Sequence, residues 1–132
     1  MVPAGHGATA FVDAADIGAV AAAALLDPER HRNRAWTPTG PQALTYDEIA
    51  QTLSDTLDRP IRYADPGALR YARHARHALH MAWGMVAVTT AIYTVARLGR
   101  ASGLTNDVRQ ITGRDPVSFE TFAHTHADAW QR

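Results

Sequence analysis

The sequence predicts an α/β fold, mostly helical, with a small parallel two-stranded βαβ unit and a C-terminal helical cluster. Three observations predict it. A β candidate, Ala35–Thr39, precedes a fully capped amphipathic helix, and a second, Ile61–Ala64, follows it. A helix in that connection argues for parallel strands and a right-handed crossover. From Pro66 onward every segment has helical patterning, and a short strand, Thr9–Val12, runs into an alanine-rich helix near the start.

The first helix begins at "DAAD", where Asp13 is placed to cap and Asp16 makes the first turn acidic. Both aspartates read as capping groups rather than as a catalytic acid pair. Ile17, Val20, Ala21, Ala24 and Leu25 share one face, expected to be buried. Asp27-Pro28 ends the helix. In "AWTPT", Pro38 confines any strand to an edge or an end, and Gly40-Pro41 turns the chain.

"LTYDEI" carries the strongest local code. Thr45 and Glu48 form a capping box, and Leu44 and Ile49 a hydrophobic staple. Tyr46, Ile49, Ala50, Leu53 and Leu57 then repeat with helical period, and Asp58 is expected in the left-handed position that closes the helix. "GALRYARHARHALH" reads as a basic helix. "MAWGMVAVTTAIYTVARLG" follows as an apolar one, expected in the core and open to being continuous with the first. Its uncharged stretch, Met81–Ala96, is short for a membrane span. A short helix in "TNDVRQITG" and a final one capped by Ser118, with Phe119, Phe122, Ala123, His126 and Trp130 as its stripe, complete the series.

Composition excludes several chemistries. The 132 residues suit one domain. Thirteen basic and thirteen acidic residues balance, so bulk charge draws the chain to neither nucleic acid nor an anionic membrane. All thirteen basic residues are arginine, so no Schiff base, P-loop lysine or Tyr-x-x-x-Lys relay comes from this chain. There is no cysteine, which suits a reducing, cytoplasmic compartment. The N-terminal residues lack the pattern of a signal peptide.

Candidate sites are few. Gly5-His6-Gly7 lacks the strand, the helix and the third glycine of a dinucleotide fingerprint and reads as a loop. His74, His77 and His80 share a helix with Arg70, Arg73 and Arg76. A solvated basic face is expected there, not a metal site. His124 and His126 point apart, and His126 is expected in the core or an interface. Met81, Trp83, Met85 and Tyr93 are the candidate lining of a pocket for a flat organic molecule, with ordinary core packing as the competing reading. No catalytic residue, cofactor-binding residue or metal ligand is assigned.

These motifs fit one family in order. "AGHGATAFVDAADIGAVAAAAL", "AWTPTGPQALTYDEIAQTLSDTLDRPIRY" and "NDVRQITGRDPVSFETFAHTHADAW" resemble successive segments of the NmrA-like, atypical short-chain dehydrogenase/reductase proteins. Asp58 stands where that family has glycine and Asp115 where proline is common; residues 66–104 match only as helical. The resemblance implies the C-terminal part of a Rossmann-type protein. Residues 1–34 would be a last Rossmann strand–helix element, and residues 35–132 a substrate-side subdomain. NAD(P)H is the family's cofactor, and its main binding half has no counterpart here.

Three functions are then open. One is the substrate-binding portion of an NAD(P)H-dependent, quinone-oxidoreductase-like enzyme, expected to be inactive alone. A second is a non-enzymatic NAD(P)-sensing regulator. The third is a small module that dimerises or binds a partner. Expected partners are a small organic substrate and the missing Rossmann half or a second copy, with no nucleic acid and no membrane. The assignment is tied to Ala35–Thr39 and Ile61–Ala64 lying side by side in parallel.

Overall fold

A computed structural model describes residues 1–130. Seven α-helices dominate them: α1 (Ala14–Leu26), α2 (Pro28–His31), α3 (Tyr46–Leu57), α4 (Ala68–His77), α5 (Trp83–Arg97), α6 (Asp107–Thr112) and α7 (Phe119–Thr125). A 3-10 turn, Ala127–Trp130, follows α7. Two short strands, β1 (Thr9–Ala10) and β2 (Ala43–Leu44), pair antiparallel, with Thr9 opposite Leu44 and Ala10 opposite Ala43. On its other side Thr9 makes a parallel bridge to Ala101, and Ala10 N–H donates to the Ala101 carbonyl at 2.8 Å.

The helix signals in the sequence hold. Asp13 accepts from Ala15 N–H, and the Thr45–Glu48 capping box is closed in both directions. Asp58 ends α3 at φ 48°, ψ 41°, and Gly113 ends α6 at φ 75°. Ser118 caps α7. The two central helices are not continuous. His80, at φ 53°, breaks the chain between α4 and α5.

The parallel βαβ unit does not form. Neither Ala35–Thr39 nor Ile61–Ala64 is a strand, because side chains take the backbone groups that a ladder would use. Thr37 N–H donates to the Asp107 carboxylate at 2.6 Å, and Thr37 carbonyl accepts from the Thr105 hydroxyl at 2.5 Å. Pro38 has no N–H to offer. Ile61 N–H and carbonyl both bond the Ser54 hydroxyl, at 2.9 and 3.1 Å. At Thr37 and Ile61, then, side chains hold the backbone groups that a sheet partner would take. The real partner of β1 is Ala43–Leu44, half of which is the staple residue.

Packing falls into three groups. α1 lies on α6 and α2, α3 lies on α7 and the 3-10 turn, and α4 pairs with α5. Tyr71 and Ala75 of α4 bury against Val86 of α5, with Ala72, Met81 and Tyr93 around them.

Two expected apolar faces lie open. On α1 only Val20 of the predicted face is fully buried; Ile17 and Leu25 are exposed, and Leu26 with them. α5 is not enclosed in a core. Val86 and Ala96 are buried, but Met85, Val88, Ile92 and Val95 lie open along the far side. Among the described residues no helix is long and apolar enough to cross a membrane.

Candidate functional site

The Thr-Gly-Pro turn is a structural clasp. Thr39 is buried; its hydroxyl accepts from Thr105 N–H at 3.0 Å. Gly40 passes so close to Phe11 that a Cβ there would overlap the Phe11 carbonyl oxygen. The Gly5-His6-Gly7 segment has the same kind of role. A Cβ on Gly7 would overlap the Ala96 carbonyl at the end of α5. These glycines bring backbone to backbone.

Beside this crossing lies an aromatic seam. Phe11 meets Tyr46 edge-on at 5.5 Å, and Tyr46 stacks on Tyr63 at 5.3 Å. The Tyr63 hydroxyl donates to the Val2 carbonyl at 2.6 Å and accepts from Ala4 N–H at 3.0 Å. Burial pushes the Tyr46 phenol above its ordinary value, helped by Tyr93 and Tyr63; burial does the same to Tyr63. Neither phenol ionises readily at neutral pH.

The predicted pocket residues divide into two pairs. Met81 and Tyr93 are half-buried and touch the Tyr71–Ala75–Val86 cluster. Tyr93 meets Tyr71 edge-on at 5.3 Å, and burial raises its pKa, with Tyr71 adding to the shift. Trp83 and Met85 lie on the open side of the hairpin, 65% and 54% exposed. The Arg76 guanidinium sits 5.9 Å from the centre of the Trp83 ring. Tyr71 and Thr89 hydroxyls, 2.9 Å apart, tie α4 to α5 behind this surface.

A cleft that the sequence did not announce has a volume of about 270 Å³ and lies between the start of α1 and the start of α7. Phe11, Val117, Phe119 and Phe122 supply most of its apolar wall, with Asp13 and Ser118 at its edge. Phe119 and Phe122 were legible as a helical stripe, but nothing in the sequence brings Phe11 to them. The two polar groups are already engaged, Asp13 with Ala15 N–H at 2.9 Å and Ser118 with Thr121 N–H at 3.1 Å. The cleft suits contact with flat apolar groups, and the Asp13 carboxylate at its edge is engaged in capping α1.

Two other sequence readings change. Asp16 does more than make the first turn of α1 acidic. It is fully buried, 2.8 Å from Arg114, and accepts from Val117 N–H at 2.7 Å. His126 is not in the core. It is exposed, with its ring 4.5 Å from Phe122.

No protein-family model matches the chain. Individual relatives do. An NAD(P)H azoreductase of Xenophilus azovorans is 36% identical over 129 residues, covering 98% of this chain and 44% of that protein. The chain is similar to NmrA-like reductases, and the similarity covers their C-terminal portion. The chain spans under half the length of the curated relatives it matches.

Solved structures give the same fold. A Staphylococcus aureus nucleoside-diphosphate-sugar epimerase superposes with a TM-score of 0.81 at 20% identity, over 94% of this chain and 42% of that one. The triphenylmethane reductase of Citrobacter sp., solved with NADP(H), superposes at 0.78 and 23% identity, over 96% and 43%. The resemblance to these reductases therefore holds without the parallel strand pair that the sequence predicts. NAD(P)H is the cofactor at family level, and this chain covers only a C-terminal part.

Proposed function

We propose that this chain is the substrate-side portion of an NAD(P)H-dependent oxidoreductase that reduces a flat, conjugated organic acceptor. In this reading residues 1–34 form a last Rossmann-type strand–helix element, and residues 35–132 supply the wall facing the acceptor. One observation carries the proposal. The open side of α5 carries a stripe of exposed apolar residues, Met85, Val88, Ile92 and Val95, on a helix with no charge before Arg97, and Trp83 is exposed at its start. Such a surface is costly to leave in water, at about 25 cal/mol per Å², and contiguous patches of this kind mark binding faces.

Trp83 would stack on the acceptor and Met85 conform to it, while Met81 and Tyr93 support this surface from the α4–α5 core. The nicotinamide would be held by a nucleotide-binding half and supply the hydride. The acceptor class is supported by the names of two relatives, an azoreductase and a triphenylmethane reductase, both of which denote large conjugated aromatics.

The test is steady-state kinetics on a protein that joins this chain to a nucleotide-binding half. NADPH oxidation is followed with azo and quinone acceptors. Trp83→Ala should raise KM for the acceptor several-fold and leave KM for NADPH unchanged. An unchanged acceptor KM sinks the wall assignment. NADPH binding without turnover of any acceptor supports a sensing regulator instead.

A further inference from the structure

A net charge of zero conceals a strong segregation. Residues 66–106 hold five arginines and no carboxylate, a formal charge of +5, and the remaining chain, with eight arginines and thirteen carboxylates, carries −5. The positive segment contains α4 and α5. On α4, Arg70, Arg73, His74 and His77 stand at i, i+3, i+4 and i+7, one stripe of a helix whose other side buries Tyr71 and Ala75. The four side chains line one recess of about 270 Å³.

We propose that this stripe binds the phosphate or pyrophosphate group of a small molecule. Folding alone does not account for it. The helix dipole favours cations in the last turn, where His74 and His77 stand, but disfavours them in the first, where Arg70 lies. That first turn has no acidic residue, and Gly67 gives no side-chain cap. Arg70 and Arg73, three apart, repel each other. Four arginines elsewhere in the chain have carboxylate partners: Arg32 with Glu29, Arg97 with Asp65, Arg109 with Asp115 and Arg114 with Asp16. Among the described residues, none of the four groups in the stripe forms a salt bridge.

Arginine's planar fork matches phosphate oxygens in pairs. From residue 70 to 77 the stripe runs roughly 10 Å along the axis, the reach of one or two phosphates rather than of a polymer. The stripe carries no aromatic for base stacking, which sets it apart from a single-stranded nucleic-acid groove.

The experiment is an amide NMR titration of the 132-residue chain with inorganic pyrophosphate at low salt, against sodium chloride of matched ionic strength. Saturable shifts confined to residues 68–78 are expected. The double variant Arg70→Gln with Arg73→Gln should weaken them at least tenfold. The variant Arg62→Gln with Arg109→Gln, which loses the same charge elsewhere, should not. Equal weakening by both variants, or shifts reproduced by sodium chloride, overturns the proposal as mere counterion attraction. Binding to phosphatidylserine vesicles that pyrophosphate does not compete away overturns it in favour of a membrane surface.

Discussion

Arg114 Nη2 lies 2.8 Å from Oδ1 of Asp16, a carboxylate with no exposed surface. The other carboxylate oxygen accepts from Val117 N–H, so one side chain in the first turn of α1 anchors the turn before α7. Oδ1 receives no aligned hydrogen bond, which leaves the guanidinium as its compensation. Arg114→Ala would strand a buried charge and should cost about 3 kcal/mol, the lower end for a broken buried pair because Arg114 is half exposed. Arg109→Ala removes a bridge to Asp115 exposed on both sides and should cost at most about 1 kcal/mol. Urea unfolding of the two variants decides it; equal losses would show that Asp16 does not depend on Arg114.

Gly7 and Gly40 should tolerate no side chain. Each would drive a Cβ into a carbonyl oxygen, of Ala96 and Phe11 respectively, and neither neighbour is a flexible side-chain end. Gly7→Ala and Gly40→Ala should each destabilise by about 1–3 kcal/mol or more. Gly18→Ala is the control. It lies inside α1 with open space around it and should stabilise by about 0.5–1 kcal/mol. Thermal unfolding of all three gives the ordering, and a neutral Gly40→Ala would show that the Phe11 segment yields.

The capping box should make α3 sensitive to acid. Glu48 is held below its ordinary pKa by its bond to Thr45 N–H, at 2.7 Å, and by the Thr45 hydroxyl. A lowered folded-state pKa means that the stabilisation is complete above the unfolded value, near 4.5, and is lost as pH falls through the lower folded value. Thr45→Ala should cost about 1 kcal/mol at neutral pH and less below that window. Glu48→Gln should flatten the pH dependence while keeping an acceptor at the cap. Parallel acid-unfolding curves for wild type and Glu48→Gln would rule this out.

What could be read in advance follows from the range of the interaction. The caps at Asp13, Thr45 and Ser118 and the left-handed stops at Asp58 and Gly113 bond within four residues, so local sequence contains them whole. Thr9 is correctly read as strand, but its pairing, and the absence of a strand at Ala35–Thr39, depend on distant partners. Thr37 is taken by Thr105 and Asp107, and Thr9 by Leu44 and Ala101. Burial of Asp16 likewise depends on residues 114 and 117. The aromatic cleft joins Phe11 to Phe119 across the whole chain, which no periodicity reports. Periodicity gave the apolar faces of α1 and α5 correctly as apolar, but it cannot say whether a face is covered.

The open side of α5 makes the last expectation. Val88 and Ile92 are 55% and 60% exposed, whereas Val86, on the opposite side, is 3% exposed. In the 132-residue chain the open side has only solvent or another copy to meet, so association is expected to rise with concentration. Val88→Gln with Ile92→Gln should change stability by no more than about 0.5 kcal/mol, because neither side chain fills the core. The same pair should shift sedimentation toward monomer. Val86→Ala should do the reverse, costing about 2 kcal/mol by opening a cavity against Tyr71 and leaving association unchanged. A wild-type chain that stays monomeric at high concentration would show that this face is tolerated in water, and the argument that it covers a substrate or a neighbouring domain would lose its physical basis.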